Sequence, residues 1–151
     1  MNKLAFGFAL LAVSTVANFA NAQDMSAPAT YGEISLTSGF TPDPYSVSLT
    51  AGGSIDASTV NASCVGKIAN APDFQLTYTA GSFPLIISVA SESDTTLVIN
   101  GSDGSWYCVD DVDGFNPKVV FPTPGSGVYD IWVGTYGDSL APATLNISEI
   151  Q

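Results

Sequence analysis

The sequence predicts an all-β fold, a jelly-roll-like antiparallel β-sandwich of about eight to ten short strands. Apolar and polar residues alternate with period two in many short runs, and clusters of Gly, Pro, Asp and Asn separate those runs. No segment holds a helical period of useful length. Of the 151 residues 46% are hydrophobic and only 11% charged, enough apolar material for a core under a surface of hydroxyls and amides.

The chain opens with Met1-Asn2-Lys3, an apolar run from Leu4 to Val13, and Ala20-Asn21-Ala22 before Gln23. This order reads as a secretory signal peptide over residues 1–22, cleaved after Ala22. A membrane anchor needs about 18 uninterrupted apolar residues, and Ser14, Thr15 and Asn18 interrupt the run. The expected location is therefore periplasmic or secreted, with no membrane span left after cleavage. A short polar lead, 23–30, precedes a single domain, 31–151.

Within that domain the inward-facing residues follow in order. Ile34 and Leu36 mark the first strand, Val47 and Leu49 the second, and Phe74, Leu76 and Tyr78 the next. Leu85, Ile87 and Val89 share a face, Leu97 to Ile99 form a continuous apolar run, and Val119 pairs with Phe121 across one residue. Tyr129, Ile131 and Val133 alternate with Asp130 and Trp132, and Leu145 and Ile147 mark the last strand. Between them stand turn formers such as Asn100-Gly101-Ser102-Asp103-Gly104, Asp113-Gly114 and Pro122-Thr123-Pro124-Gly125.

The whole chain carries a net charge of −11 and no histidine. After signal cleavage, Lys67 and Lys118 stand alone against 14 acidic residues. Such a field repels nucleic acid and anionic membrane surfaces and attracts divalent cations or basic partners. Without an imidazole there is no Ser-His-Asp or Cys-His nucleophile and no His-Glu-x-x-His zinc site. Ser-Lys catalysis would need Lys67 or Lys118, and neither lies in a Ser-x-x-Lys pattern; carboxylate-based hydrolysis stays open to so acidic a chain, and no motif supports it. The two cysteines, Cys64 and Cys108, lie in the exported part, where a disulfide is the expected state. Metal-bound thiolates would want further Cys or His ligands. Closing a loop of this length contributes about 4 kcal/mol in the chain-entropy view.

The most distinctive stretch runs from Asp94 to Pro117, Asp-Thr-Thr-Leu-Val-Ile-Asn-Gly-Ser-Asp-Gly-Ser-Trp-Tyr-Cys-Val-Asp-Asp-Val-Asp-Gly-Phe-Asn-Pro. It is followed by Gly127-Val-Tyr-Asp-Ile-Trp-Val133. With its Asp before an apolar strand, its Asp-Gly turn, its paired acidic residues and its Gly-x-Tyr-x-Ile-x-Val strand, it resembles the bacterial pre-peptidase C-terminal domain family. That resemblance covers roughly residues 43–150. It implies a jelly-roll sandwich that serves as a non-catalytic accessory, and some related domains bind calcium or substrate. Here a stand-alone module is expected, a departure from the usual arrangement beside a peptidase domain.

Two candidate sites follow. Asp110, Asp111 and Asp113, with Asn116, gather carboxylates that either splay into water or hold a hard cation such as Ca²⁺, which takes six to eight oxygens. Asp94 and Asp103 join them if their loops meet at one end of the sandwich. The plainer alternative is that Asp103-Gly104 and Asp113-Gly114 only form turns. Trp106, Trp132 and Tyr136, near these carboxylates, would stack on a sugar ring or anchor a protein, although Trp in a sandwich is more commonly core. The expected function is an exported binding or accessory module for a protein or polysaccharide. The rival is a self-assembling structural subunit in which residues 23–30 donate an edge strand.

Overall fold

The computed structural model describes residues 23–150, so the expected signal peptide, residues 1–22, lies outside the described residues. Two sheets pack face to face. One contains β1 (Glu33–Thr37), β3 (Ile55–Asp56), β4 (Lys67–Ile68), β5 (Phe74–Thr79), β7 (Thr95–Asn100), β8 (Trp106–Val109) and β10 (Gly127–Thr135). The other contains β2 (Tyr45–Ala51), β6 (Leu85–Ala90), β9 (Lys118–Phe121) and β11 (Ala141–Ser148), in the order β2-β11-β6-β9.

The longest strand, β10, organises the larger sheet. Its first half pairs with β5 (Tyr129↔Leu76, Ile131↔Phe74) on one side, and its second half pairs with β7 (Ile131↔Ile99, Thr135↔Thr95) on the other. Thr135 also meets Lys67 of β4. Between the end of β4 and the start of β5, β10 lacks a strand neighbour, and Asp73 fills the gap. Its N–H donates to the Ile131 carbonyl at 2.8 Å and its Oδ2 accepts from the Val133 N–H at 2.7 Å.

The predicted alternation holds where one face is buried. Leu76, Tyr78, Leu85, Ile87, Leu97, Ile99, Ile131, Val133, Leu145 and Ile147 fill the space between the sheets. Two features depart from expectation. The first is a parallel pairing between β1 and β5, Ile34↔Leu76, whereas every other pairing is antiparallel. Residues 38–73 make that possible, because the chain crosses to the other sheet as β2 before returning.

The second departure is a smaller core on the outer face of the larger sheet. Trp132 and Val98 point away from the sandwich interior, opposite Ile131 and Leu97, yet both are fully buried. The segment after β3, beginning with a short 3-10 turn at Ala57–Thr59, lies over them, with Ala57, Cys64 and Ile68 buried against Trp132. The Cys64–Cys108 disulfide ties this flap to β8.

The polar lead is docked on the domain. Gln23 is buried and donates its side-chain amide to the Ala69 carbonyl, Asp24 N–H reaches Asn70, and Thr30 and Tyr31 N–H groups bond Pro72 and Asp73. Residues 23–30 are therefore not the free donor strand that the self-assembly reading requires. At the other terminus the buried Glu149 carboxylate accepts from the Tyr78 hydroxyl and, at 2.7 Å, from the Gly39 N–H. Burial, with Glu149 beside it, pushes the Tyr78 phenol up to about 12.

Candidate functional site

The register brings several loops together at one end of the sandwich. Thr135 at the end of β10 faces Thr95 at the start of β7, and Val109 at the end of β8 faces Leu97. Lys118 at the start of β9 faces Ser88 near the end of β6. Consequently the turn at 91–94, the loop at 110–117 and the loop at 136–140 all emerge on the same side.

The 110–117 loop stands on a rigid base. Its stem leaves the larger sheet one residue pair beyond the disulfide and arrives on the smaller one. Asp113 and Asn116 exchange backbone hydrogen bonds across a tight turn, in which Gly114 takes a φ of 63° that other residues rarely adopt. The Asn116 side-chain oxygen accepts from Ser91 N–H at 2.9 Å, and the Phe115 carbonyl accepts from Thr95 N–H. Tyr136 N–H in turn bonds the Asp94 carbonyl at 3.1 Å. The three loops are thus laced together through backbone hydrogen bonds and the Asn116 side chain, and most of their other side chains face outward.

What faces outward is acidic and apolar at once. Asp110, Asp111 and Asp113 from one loop join Asp94 and Glu92 from the second and Asp138 from the third. Among the described residues the only ion pair is Lys67–Asp56, so none of these carboxylates has a cationic partner there. The Asp94 carboxyl titrates above its ordinary value, first because burial desolvates it and then because Asp111 and Asp110 repel its charge. Its Oδ1 is buried and accepts no hydrogen bond. Beside these acids stand exposed apolar side chains: Val112 (56%), Phe115 (61%), Tyr136 (61%) and Leu140 (65%). A shallow cavity of about 170 Å³ separates Asp94 from Leu140.

Several sequence expectations change in this light. Asp103 does not join the cluster: it follows β7 while Asp94 precedes it, and a six-residue strand puts them roughly 20 Å apart at 3.3 Å per residue. Trp132 presents no face to a ligand, because the 57–66 flap encloses it and Trp106 packs on it at 5.4 Å between ring centroids. Trp106 is half-buried on the same patch, and only Tyr136 of the three stands in the open. Among the described residues no three acidic side chains are placed to share one ion, and the Asn116 oxygen accepts one hydrogen bond, from Ser91. Glu92, Asp138, Val112, Phe115 and Leu140 escape sequence reasoning because nothing local shows which loops meet in space.

No family model and no curated protein matches this chain. Among solved structures it is similar to the pre-peptidase C-terminal domain of a collagenase from Bacillus anthracis, at 15% identity and a TM-score of 0.49, covering 81% of this chain and 98% of that one. It is also similar to PliG of Aeromonas hydrophila, a periplasmic inhibitor of g-type lysozyme, at 14% identity and a TM-score of 0.40, covering 77% and 96%. At these scores neither likeness speaks for a ligand or partner of this chain. No helix among the described residues is long and apolar enough to cross a membrane.

Proposed function

We propose that the chain is an exported, non-catalytic binding module, resembling a stand-alone pre-peptidase C-terminal domain, that docks a basic protein through its acidic loop end. One observation carries this reading: unpaired carboxylates on three backbone-laced loops surround exposed Val112, Phe115, Tyr136 and Leu140. Exposed apolar side chains supply the desolvated anchors of an interface, and a ring of like charge selects the partner and speeds encounter. The absence of histidine from the sequence and the lack of a nucleophile motif favour binding over catalysis.

The test is surface-plasmon binding against a panel of basic proteins that includes cytochrome c and lysozymes, with an acidic protein and neutral polysaccharides as comparators. Saturable binding to a basic protein is expected, weakened by salt and lost in the triple variant Asp110→Asn, Asp111→Asn, Asp113→Asn with circular dichroism unchanged. Binding only to the polysaccharides, or binding to the basic protein that the triple variant retains, refutes the assignment.

A further inference from the structure

The opposite end of the sandwich holds a separate cavity of about 230 Å³, formed where the turn after β7 meets the turn before β10. Tyr107, Phe121 and Tyr129 line it, together with Asp103, Ser102 and Thr123. The three rings interlock edge to face, with centroids 4.9 Å apart for Tyr107–Phe121 and 5.4 Å for Phe121–Tyr129. Such contacts fix ring orientation as well as area.

The polar groups are fixed too. The Tyr107 hydroxyl donates to Asp103 Oδ2 at 2.8 Å, and Ser105 N–H donates to Asp103 Oδ1 at 2.9 Å. The Ser102 hydroxyl donates to the Tyr129 oxygen, and that phenol donates onward to the Gly125 carbonyl. Close approach of the two turns depends on glycine. A Cβ on Gly125 would lie 2.6 Å from Ser102 Oγ, and one on Gly101 would lie 2.8 Å from the Tyr107 ring. The cavity is therefore preformed.

Its chemistry is one-sided. The Tyr107, Ser102 and Tyr129 hydroxyl protons are already committed within the protein, whereas the Asp103 carboxylate keeps lone pairs to spare. The Ser105 N–H and the Tyr107 hydroxyl hold the Asp103 carboxyl below its ordinary value, so it stays ionised. Neither Lys67 nor Lys118 lines the cavity. The size is below the roughly 300–1,000 Å³ of pockets for drug-sized ligands, so the occupant is small. An anion would meet a carboxylate in a strongly acidic protein. A cation would meet that carboxylate among aromatic side chains, an environment that attracts ammonium groups.

We propose that this cavity binds a small organic cation of the alkylammonium class. The site lies at the far end from the acidic loops, so it stands or falls independently of the protein-docking reading.

The experiment is isothermal titration calorimetry with tetramethylammonium chloride, referenced to sodium chloride at equal ionic strength, with methyl glucoside as a neutral comparator. Saturable one-site binding of tetramethylammonium is expected. Asp103→Asn keeps the acceptor for Ser105 and removes the charge, and Phe121→Leu removes a ring. Each should weaken binding about tenfold, the equivalent of about 1.4 kcal/mol. Tyr107→Phe frees a carboxylate oxygen while keeping the ring, and should bind at least as well as the parent. Asp113→Asn, at the other end, should leave binding unchanged. Absence of saturable heat in the millimolar range, methyl glucoside binding in place of the cation, or equal affinity in parent and Asp103→Asn overturns the proposal.

Discussion

Replacing Asp73 by Asn should change the pH dependence of stability more than it changes the fold. Asp73 is 2% exposed and bridges the gap in β10 by accepting the Val133 N–H. Burial raises its carboxyl from 3.8 to about 7, with the Val133 hydrogen bond opposing the shift. The folded state therefore holds this proton more tightly than the unfolded state does. Below about pH 4 both states are protonated and the neutral acid folds without penalty. Between about pH 4 and 7 the unfolded chain ionises while the folded one does not, so stability falls as pH rises. Above about pH 7 both are ionised and this contribution is flat. A displacement of about 3 units corresponds to about 4 kcal/mol. In the Asp73→Asn variant the side-chain amide oxygen can accept the same N–H and never ionises, so this slope should vanish. The buried amide protons of that variant cost a constant amount at every pH, about 1–3 kcal/mol, which cancels when slopes are compared. Urea unfolding of both proteins from about pH 4 to pH 8 measures the difference. The stability of the parent relative to the variant should drop by about 4 kcal/mol across that range, and parallel profiles would refute the reasoning.

Further outcomes follow from other contacts. The double variant Cys64→Ser, Cys108→Ser should lose about 4 kcal/mol by urea unfolding, since the bridge closes a loop with a sequence separation of 44. Its tryptophan emission should shift to the red as the flap loosens over Trp132. Gly53→Ala drives a Cβ into the Ile68 carbonyl oxygen, which is backbone and cannot rotate away. A loss of at least about 1–3 kcal/mol is expected, and thermal melting indistinguishable from the parent contradicts it. Leu97→Ala empties a fully buried position between the sheets and should cost about 2–5 kcal/mol in the same assay.

Much of the sandwich is legible because alternation is a local signature. Leu76 and Tyr78, Ile131 and Val133, Leu145 and Ile147 each announce a buried face without reference to the rest of the chain. The continuous run Leu97 to Ile99 announces a strand buried on both faces, and the flap over Val98 explains why. Strands β3 and β4 are two residues long, too short for any period to register, and they exist because β10 and the flap hold them. The parallel register of β1 is likewise nonlocal. At the site, the sequence brings Asp94 to the 110–113 carboxylates only on the condition that their loops meet, and that depends on pairings between strands far apart in the chain. Asp103 goes astray in the sequence reading because the length of β7 separates the two turns. Asp73 carries no local signature, and only the missing ladder partner of Val133 shows why a carboxylate is buried there.

The paired indoles under the flap give the molecule an optical signature. Trp106 and Trp132 sit 5.4 Å apart at 44°, and these are the only two tryptophans in the sequence. Two chromophores so close and so inclined couple, and the sign and size of their circular-dichroism couplet depend on that angle. The flap that fixes the angle is bonded to the strand from which the acidic loop springs. Events at that loop and at the disulfide can therefore be followed by polarised light, without any added label.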